Sequence, residues 1–341
     1  MQLRIGIIGA GGRVMDTILP AIWALGNKAK LLQINTQSSR PVNLPDGSSI
    51  ITKDEISSIS LKDYDVIIIA VGTSNIRSVL DELSRKKHRD SVTLVMDTPP
   101  LRLSDYWKTN LFSGYKGVAV GEDWITLSPI LAMKNIINSG RIGDLRHIQF
   151  DHMSYRYHGL AALKLLASVK TVSSMRRVPM GNNFYETRVT LKQNVTATAI
   201  EPRDYVNGRI RITGTKGTIS DYAICTNKKS DFQFGYVDTK KGWYQPFSIN
   251  GEIQPMDEVE TYMASLPYNT LHDGSRINRF KIRAYARLLE DIARGFANYP
   301  IWDGLYDYLA TAVAEKSGHF KDISLSNNQN SLVRRLIKRG K

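Results

Sequence analysis

The sequence predicts an α/β protein with an N-terminal doubly wound parallel sheet and a C-terminal α/β domain built on a large, mainly antiparallel open sheet. Three observations predict this fold class. The 341 residues are enough for about two domains. A glycine-rich turn directly follows the first apolar run, Leu3 to Ile8, and short strand-like patterns succeed one another from about residue 146 onward.

The N-terminal pattern begins with a short buried strand, Leu3 to Ile8, followed at once by Gly9-Ala-Gly-Gly-Arg-Val14. A helical pattern covers about residues 15–25, and a second strand runs from Ala29 to Ile34. This order of strand, glycine turn, helix and strand is the context that a dinucleotide-binding Rossmann fingerprint requires.

Each position of the turn has an expected role in that fingerprint. Gly9 suits the tight turn, and Gly11 lets the backbone approach a pyrophosphate at the start of the helix. Val14 replaces the third glycine, whose role is helix–strand packing, and Gly12 adds conformational freedom beside it. The alternative is a glycine turn that binds no nucleotide.

The end of the second strand favours NADP(H) over NAD(H). Most NAD-binding proteins of this type carry a carboxylate about 20 residues past the fingerprint. Here the strand ends at Asn35, and Thr36, Ser38 and Arg40 follow without an acid. Hydroxyls and a guanidinium suit a 2′-phosphate, which Arg13 could also reach. A solvated polar loop is the alternative.

Two further strands complete the predicted nucleotide site. The β-branched run from Asp65 to Val71 indicates a strand buried on both faces, and Gly72, Thr73 and Ser74 follow it. Because ligands bind at the carboxyl edge of such sheets, residues 71–74 are expected to contact the cofactor. A strand from Val92 to Met96 leads to Asp97 and Thr98, which we expect near the nicotinamide.

We divide the chain into a dinucleotide-binding domain (1–120), a domain for substrate binding and oligomerisation (121–330) and a basic tail (331–341). Strands are predicted at 146–153, 187–191, 196–200, 208–213 and 217–222, and an amphipathic helix at 280–296, with Phe296 in its apolar stripe. The tail has the spacing of a terminal helix, with contact to a polyanion or a membrane surface as the lesser alternative.

Composition narrows the function classes. Hydrophobic residues make up 42% and charged residues 23%, which is typical of a globular protein. No apolar run approaches the roughly 20 residues of a membrane span, and the N-terminus lacks a signal-peptide pattern. The single Cys225 excludes an intramolecular disulfide and fits a cytoplasmic location.

The charge and the spacing of the histidines narrow the possible function classes further. The net charge of +14 is spread along the chain, which argues against a nucleic-acid binder and suits anionic small molecules. The histidines other than His158 show no metal-ligand spacing, and no metal site is predicted.

At this point the chain resembles the Gfo/Idh/MocA family of oxidoreductases, named after glucose–fructose oxidoreductase and inositol dehydrogenase. The resemblance covers about residues 3–318 and rests on motifs in the family's order. They are Gly9 to Arg13, Asp65 to Val71, Val95 to Pro99, Lys134 to Gly143, Arg211 to Ile219 and Arg287 to Gly295. It implies an N-terminal Rossmann domain, a C-terminal domain with a large open sheet, and a homo-oligomer, a dimer or tetramer, formed through that sheet.

The departures from the family concern its chemistry. The family's Glu-Lys-Pro motif is Asp97-Thr98-Pro99 here, so the lysine is missing. The family's Asp/His pair is also absent from the corresponding stretch, 155–165. The usual acid–base set is therefore not carried over.

Other residues are predicted to supply the acid–base chemistry. His158 is the first candidate, because an imidazole titrates near neutral pH. Tyr157 and Thr98 are further candidates, and Tyr155 is expected to bind substrate. Tyr155 and Tyr157 would share a face of an extended segment, and His158 would begin a helix over 159–167. Packing roles for these side chains are the alternative.

The run Gly121-Glu-Asp-Trp124 stands where the family often places polar contacts to substrate. Glu122 and Asp123 would bind hydroxyls, and Trp124 would stack on a sugar ring. A polar turn with one buried tryptophan is the alternative.

The sequence thus predicts an NADP(H)-dependent oxidoreductase, with NAD(H) as the alternative cofactor, acting on a sugar-like carbonyl or hydroxyl substrate. The positive charge favours a phosphorylated or nucleotide-linked, anionic substrate. Two other functions stay open: a nucleotide-binding sensor or accessory subunit that has lost turnover, and an imine reductase. We expect no membrane insertion.

Overall fold

A computed structural model describes residues 2–154, 156–191, 194–204, 206–222, 229–236, 242–266, 278–297 and 299–321. The described residues form two compact units. Unit 1 contains residues 2–123 and 285–305, and unit 2 contains residues 124–284 and 306–321. Tyr155, Cys225 and the basic tail lie outside the described residues.

Unit 1 is built on a parallel sheet. Its strands are β1 (Leu3–Ile8), β2 (Ala29–Asn35), β5 (Val66–Ile69), β6 (Thr93–Met96) and β7 (Gly117–Val120), in the spatial order β2-β1-β5-β6-β7. A small hairpin, β3 (Pro41–Asn43) and β4 (Ser49–Ile51), lies between β2 and β5 in the chain. All residues of β5 are buried, as its continuous β-branched sequence predicts, and all residues of β6 are buried as well.

Helices connect these strands. The first has π geometry over Val14–Ile18 and continues as α1 (Leu19–Ala24). The next long helix is α2 (Thr73–Ser84). Short 3₁₀ turns cover Gly26–Lys28, Ile56–Ser58, Leu61–Asp63 and Arg89–Ser91, and a longer 3₁₀ segment covers Leu103–Phe112. The predicted alternation of strands and helices is confirmed.

Unit 2 contains a ten-stranded sheet among its described residues. Its strands are β8 (Leu145–Asp151), β9 (Ser174–Gly181), β10 (Phe184–Thr190), β11 (Thr196–Glu201), β12 (Arg209–Gly214), β13 (Thr218–Ser220), β14 (Phe232–Tyr236), β15 (Phe247–Ile249), β16 (Glu252–Ile253) and β17 (His319–Lys321). The spatial order is β16-β15-β14-β13-β12-β8-β11-β10-β9-β17. The pairs β8–β11 and β13–β14 are parallel and the others antiparallel, which confirms a large, mainly antiparallel sheet.

The remaining helices are a 3₁₀ turn at Asp123–Thr126, α3 (Ser128–Asn138), α4 (Arg156–Leu166), α5 (Glu258–Ser265), α6 (Asn278–Ala293) and α7 (Ile301–Ser317). The core of unit 2 lies on one face of the sheet. Ile148, Phe150, Ile210 and Ile212 are fully buried there by register. The opposite face carries polar residues such as Gln149 and Arg211, which alternate with them along β8 and β12.

Several elements differ from the sequence-based expectations. The sequence did not indicate β9 or β14–β17, because these strands are short or mix exposed and buried positions. The predicted helix over 280–296 ends at Ala293, and Phe296 is 62% exposed, so its place in the apolar stripe was wrong. Within the described residues, no helix has both the length and the apolar character needed to span a bilayer.

Candidate functional site

The turn after β1 can be made only by glycine at position 9. Gly9 has a φ of +118°, and a Cβ added there would lie 2.1 Å from the carbonyl oxygen of Ala70. Its N–H donates to the carbonyl of Asn35 at 2.8 Å. The turn is therefore packed directly against the strand ends beside it, as the predicted role of Gly9 requires.

Gly11, unlike Gly9, has free space where a side chain would lie. A Cβ at Gly11 would meet no atom within 4 Å, so the backbone at this position is accessible from outside. The first helix starts here, since the N–H groups of Val14 and Met15 donate to the Gly11 carbonyl at 2.9 and 3.1 Å. Val14 is fully buried, which agrees with a packing role at the position of the third glycine.

A wide cleft lies at the carboxyl edge of the parallel sheet, with about 1410 Å³ of empty space open to solvent. The residues that line it come from the glycine turn, the segment after β2, residues 54–57 after β4, the segment after β5 and helix α2. The predicted cofactor residues in its lining are Gly9, Gly11, Asn35, Thr36, Ser38, Arg40, Val71 and Gly72. The sheet thus brings together residues that lie more than 60 positions apart in the chain.

The polar groups after β2 are arranged around the glycine turn. The guanidinium of Arg40 is exposed and donates through Nη2 to the carbonyl of Ala10 at 2.8 Å. The Thr36 hydroxyl hydrogen-bonds to the Ser38 carbonyl at 2.6 Å. Asn35 is buried and donates through Nδ2 to the carbonyl of Glu55 at 2.8 Å. Asn35 therefore holds the cleft wall in place with its side chain.

Three carboxylates in the cleft were missed by sequence reasoning, and one of them, Glu82, belongs to α2. Asp54 and Glu55 line it and are both exposed. They reach the site because Lys53 forms a parallel bridge with Asn35 after the β3–β4 hairpin. The search for an acid near residue 35 could not find them, because only this hairpin brings residue 54 back to the end of β2.

The other predicted cofactor residues are not among those lining the cleft, which does not include Gly12, Arg13, Val14, Thr73, Ser74 or Asp97. Thr73 and Ser74 form the first turn of α2, after Gly72. Thr98 follows Asp97 in the loop after β6 and is half-buried. The cofactor contacts of these residues stay predictions.

Arg13 binds two carboxylates in unit 1. Its Nη1 donates to Asp123 at 2.7 Å, and its Nε donates to Asp97 at 3.3 Å. The guanidinium carbon lies 5.5 Å from the centre of the Tyr285 ring. We call Arg13, Asp97, Asp123 and Tyr285 the Arg13 cluster. In this structure the Arg13 charge is directed at carboxylates instead of the cleft.

Burial and charge act together on the Arg13 cluster. Burial lowers the pKa of Arg13, but attraction to Asp123 and Asp97 outweighs it and raises the pKa above the ordinary value. Burial raises the pKa of Asp97, Asp123 raises it further, and Arg13 offsets only part of the rise. Burial also raises the pKa of Tyr285, and the negative charge of Asp97 adds to that rise.

In unit 2, His158 lies within an aromatic group. Its ring centre is 4.4 Å from that of Tyr157 and 6.4 Å from that of Trp124, and Tyr157 also contacts Tyr308 edge-on at 5.9 Å. Both Tyr157 and His158 belong to α4, which begins at Arg156. The expectation that Tyr157 lies on an extended segment and that the helix starts after His158 was therefore wrong.

The predicted substrate residues near residue 122 are all buried. Glu122 is 2% exposed, Asp123 is 1% exposed, and Trp124 is fully buried. A sugar could stack on Trp124 only after this side chain became exposed. Another buried charge, Lys164, forms an ion pair with Asp307 at 2.7 Å, with both side chains at most 3% exposed.

The chain shares its two-domain fold with oxidoreductases of the Gfo/Idh/MocA type. An apo scyllo-inositol dehydrogenase from Lactobacillus casei is 12% identical, with 94% of this chain and 98% of that chain covered at a TM-score of 0.63. An oxidoreductase from Agrobacterium radiobacter, solved with NAD⁺, L-tartaric acid and magnesium, is 14% identical, with the same coverage and a TM-score of 0.63.

A third solved structure is a super-repressor mutant of Gal80p from Saccharomyces cerevisiae. It is 15% identical, with 96% of this chain and 100% of that chain covered at a TM-score of 0.63. No protein-family model and no curated protein sequence matches this chain. At these identities the likeness confirms the predicted fold.

Proposed function

We propose that this chain is an NAD(P)H-dependent oxidoreductase that prefers NADP(H) and acts on a polar, sugar-like carbonyl or hydroxyl substrate. The observation that carries the proposal is the cleft at the carboxyl edge of the parallel sheet. Its lining includes a glycine turn in which Gly9 makes the tight bend and Gly11 leaves space for a ligand.

The residues of the cleft fit a dinucleotide. A Cβ at Gly11 would project into free space, which is the space that a diphosphate would fill. The segment after β2 would hold the adenosine ribose, and Val71 and Gly72 would lie along the rest of the molecule. The bound cofactor would supply hydride chemistry, while the chain binds and orients it.

The preference for NADP(H) is supported by Arg40, Thr36 and Ser38, which line the cleft at the end of β2. Arg40 is the cation nearest to the glycine turn in this lining, and a guanidinium can bind a phosphate through two N–H groups. Asp54 and Glu55 oppose a 2′-phosphate by charge repulsion and suit the ribose hydroxyls of NAD(H) instead. NAD(H) therefore stays the alternative cofactor.

The test is a fluorescence titration of the full chain with NADPH and, separately, with NADH. Gly11→Ala is expected to weaken binding of both at least tenfold, because its methyl group enters the cleft. Gly117→Ala is the matched control, since a Cβ there makes only ordinary contacts, 3.7 Å from Thr93. Wild-type protein that binds neither coenzyme would refute the proposal.

Two other functions stay open. The replacement of the family lysine by Thr98 favours a nucleotide-binding sensor or accessory subunit, and the super-repressor mutant of Gal80p has the same fold. An imine reductase is the second alternative. Loss of nicotinamide absorbance on addition of carbonyl or imine compounds would separate both enzymes from a sensor, and the net charge of +14 favours anionic compounds in that screen.

We further propose that unit 2 binds substrate and forms a homo-oligomer through the polar open face of its sheet. Thr196 and Arg188 lie on this face and are exposed, whereas the other face holds the core. Light scattering would measure the oligomeric state, and a monomer at all concentrations would refute it. A cytoplasmic location is consistent with the single cysteine.

A further inference from the structure

A second cavity lies within unit 2. It holds about 450 Å³ of empty space, part of which is open to solvent. Helices α4 and α7 border it on one side, and strands β9, β10 and β11 border it on the other. We call it the α4–α7 cavity. Its described lining contains none of the residues that the sequence predicted for the cofactor or for catalysis.

Most of the lining of this cavity is apolar. The apolar side chains come from both helices and from all three strands, and they are Leu160, Leu163, Met175, Val189, Ala199 and Ala314. Gly159, Ala199 and Ala314 leave the space unfilled, because their side chains are absent or short. An apolar ligand would therefore exchange contacts with water for contacts with hydrocarbon here.

The register of the sheet places two polar side chains beside this apolar lining. Arg177 pairs with Thr187 on β10, and Thr187 pairs with Ala199 on β11. All three residues line the cavity, so they form one row across its sheet side. The row offers a guanidinium and a hydroxyl to a ligand that lies against Ala199.

The guanidinium of Arg177 is held by its neighbours. Its Nη2 donates to Glu201 at 2.8 Å, and its Nη1 lies 3.7 Å from Glu315. Its guanidinium carbon lies 3.8 Å from the centre of the Tyr185 ring. The side chain is 12% exposed, and Nε is buried without a hydrogen-bond partner among the residues that the structure describes. A buried N–H without an acceptor is unfavourable, so an acceptor atom of a ligand would be stabilised there.

The charges at the cavity favour an uncharged ligand. The charged side chains in its described lining are Arg156, Arg177 and Glu201. Arg156 forms ion pairs with Glu201 and Glu315, and Arg177 binds the same two carboxylates. An anion would have to displace one of these carboxylates and would be repelled by Glu201, whereas a cation would be repelled by both arginines. An uncharged acceptor meets neither obstacle.

We propose that the α4–α7 cavity is a binding site for a small, uncharged molecule with an apolar body and one acceptor oxygen, such as a short ketone. The apolar body would lie against Met175, Val189 and Ala199, and the oxygen would accept a hydrogen bond from Nε of Arg177. The site shares no lining residue with the cleft of unit 1 and requires neither coenzyme nor turnover.

The experiment is a ligand titration of the full chain labelled with ¹³C at the methionine methyl groups and followed by NMR. Three probes of nearly equal shape are compared: butan-2-one, the anion propionate, and 2-methylbut-1-ene, which lacks the oxygen. Met175 lines the cavity and is assigned by loss of its signal in Met175→Leu. Met263 is fully buried and does not line the cavity, so it is the reference. Ligands of this size are expected to bind in the millimolar range.

We expect butan-2-one to shift the Met175 signal to saturation and to leave the Met263 signal unchanged. 2-Methylbut-1-ene should bind at least about threefold more weakly, because it accepts no hydrogen bond. Propionate should not saturate the shift over the same range. The absence of a saturable Met175 shift with butan-2-one would overturn the proposal, as would tighter binding of propionate. Equal affinities of the ketone and the alkene would refute the role of Arg177.

Three variants test where the ligand lies. Ala199→Leu fills the cavity and should abolish the butan-2-one shift, whereas Thr198→Leu adds bulk to the opposite face of the same strand and should keep it. Arg177→Lys keeps the positive charge but removes Nε, so the affinity for the ketone should fall to that for the alkene. If Ala199→Leu does not fold, Ala314→Val fills the cavity from α7 instead.

Unchanged butan-2-one binding in the filled variant would place the ligand elsewhere and overturn the site. Because these titrations contain no coenzyme, their outcome is independent of the proposed oxidoreductase function. A chain that binds neither NADPH nor NADH could still bind the ketone, and a chain that binds both could fail to do so.

Discussion

Arg40→Ala is the most direct test of coenzyme preference. Arg40 lines the cleft and donates to the Ala10 carbonyl at 2.8 Å, so it acts on the glycine turn as well as on a ligand. A hydrogen bond between charged groups contributes about 1.5–3 kcal/mol, and the exposure of Arg40 favours the lower value. About 1.5 kcal/mol corresponds to roughly a tenfold weaker binding of NADPH.

NADH supplies the internal comparison, since it shares the turn but lacks the 2′-phosphate. Loss of the bond to Ala10 should weaken both coenzymes by about 0.5–1 kcal/mol, or roughly two- to fivefold. The assay is fluorescence titration of wild type and variant with each coenzyme, repeated at higher salt. The NADPH effect should shrink with salt and the NADH effect should not.

Arg89→Ala is the matched control for this test. It removes one positive charge and one bond from an arginine to a backbone carbonyl, that of Ser113 at 3.1 Å, but Arg89 does not line the cleft. We expect it to change neither coenzyme's affinity. Equal losses for NADPH and NADH in Arg40→Ala, or tighter wild-type binding of NADH, would refute the NADP(H) preference.

Three predictions concern stability, each measured by urea unfolding. Gly9→Ala should lower the free energy of unfolding by at least about 2 kcal/mol, because it combines a positive φ with a carbonyl oxygen 2.1 Å from the new Cβ. Gly47→Ala, at a positive φ of +83° but with no atom within 4 Å of the new Cβ, should lower it less, and equal losses would contradict this. Lys164→Met should lower the free energy of unfolding by about 3–5 kcal/mol, because it leaves Asp307 charged and buried. Adding Asp307→Leu should restore most of that loss. A loss under about 1 kcal/mol for the single variant would contradict the burial of the ion pair. Because the pKa of Asp97 is raised in the folded state, its contribution to stability should be lost as pH rises from the ordinary aspartate range through the raised pKa, and Asp97→Asn should flatten that dependence; an unchanged pH profile would argue against it.

The local sequence predicted some of the residues that line the cleft and missed others. The turn after β1 was predictable because one strand, one turn and one helix are adjacent in the chain. Arg40 was predictable as a neighbour of that turn for the same reason, since it follows the paired strand β2. Asp54 and Glu55 were not, because a hairpin of modest strand propensity returns the chain to the end of β2.

Arg13 shows the opposite case. Its position in the turn predicts a contact with a phosphate, and nothing near it in the chain indicates another partner. Asp97 and Asp123 lie 84 and 110 residues away and reach it only because β6 and β7 end at the same edge of the sheet as β1. The ion-pair partners of Arg13 are therefore set by the carboxylates that the fold places beside its guanidinium.

Local patterns alone determined the alternation of strands and helices, the glycine at the turn and the order of the two sheets along the chain, because each depends on contacts between residues close in sequence. The tertiary structure decided the partners of Arg13, the acids in the cleft and the burial of Lys164 with Asp307. Those pairings depend on strand order and on helices that meet across more than a hundred residues, and no local propensity encodes such distances.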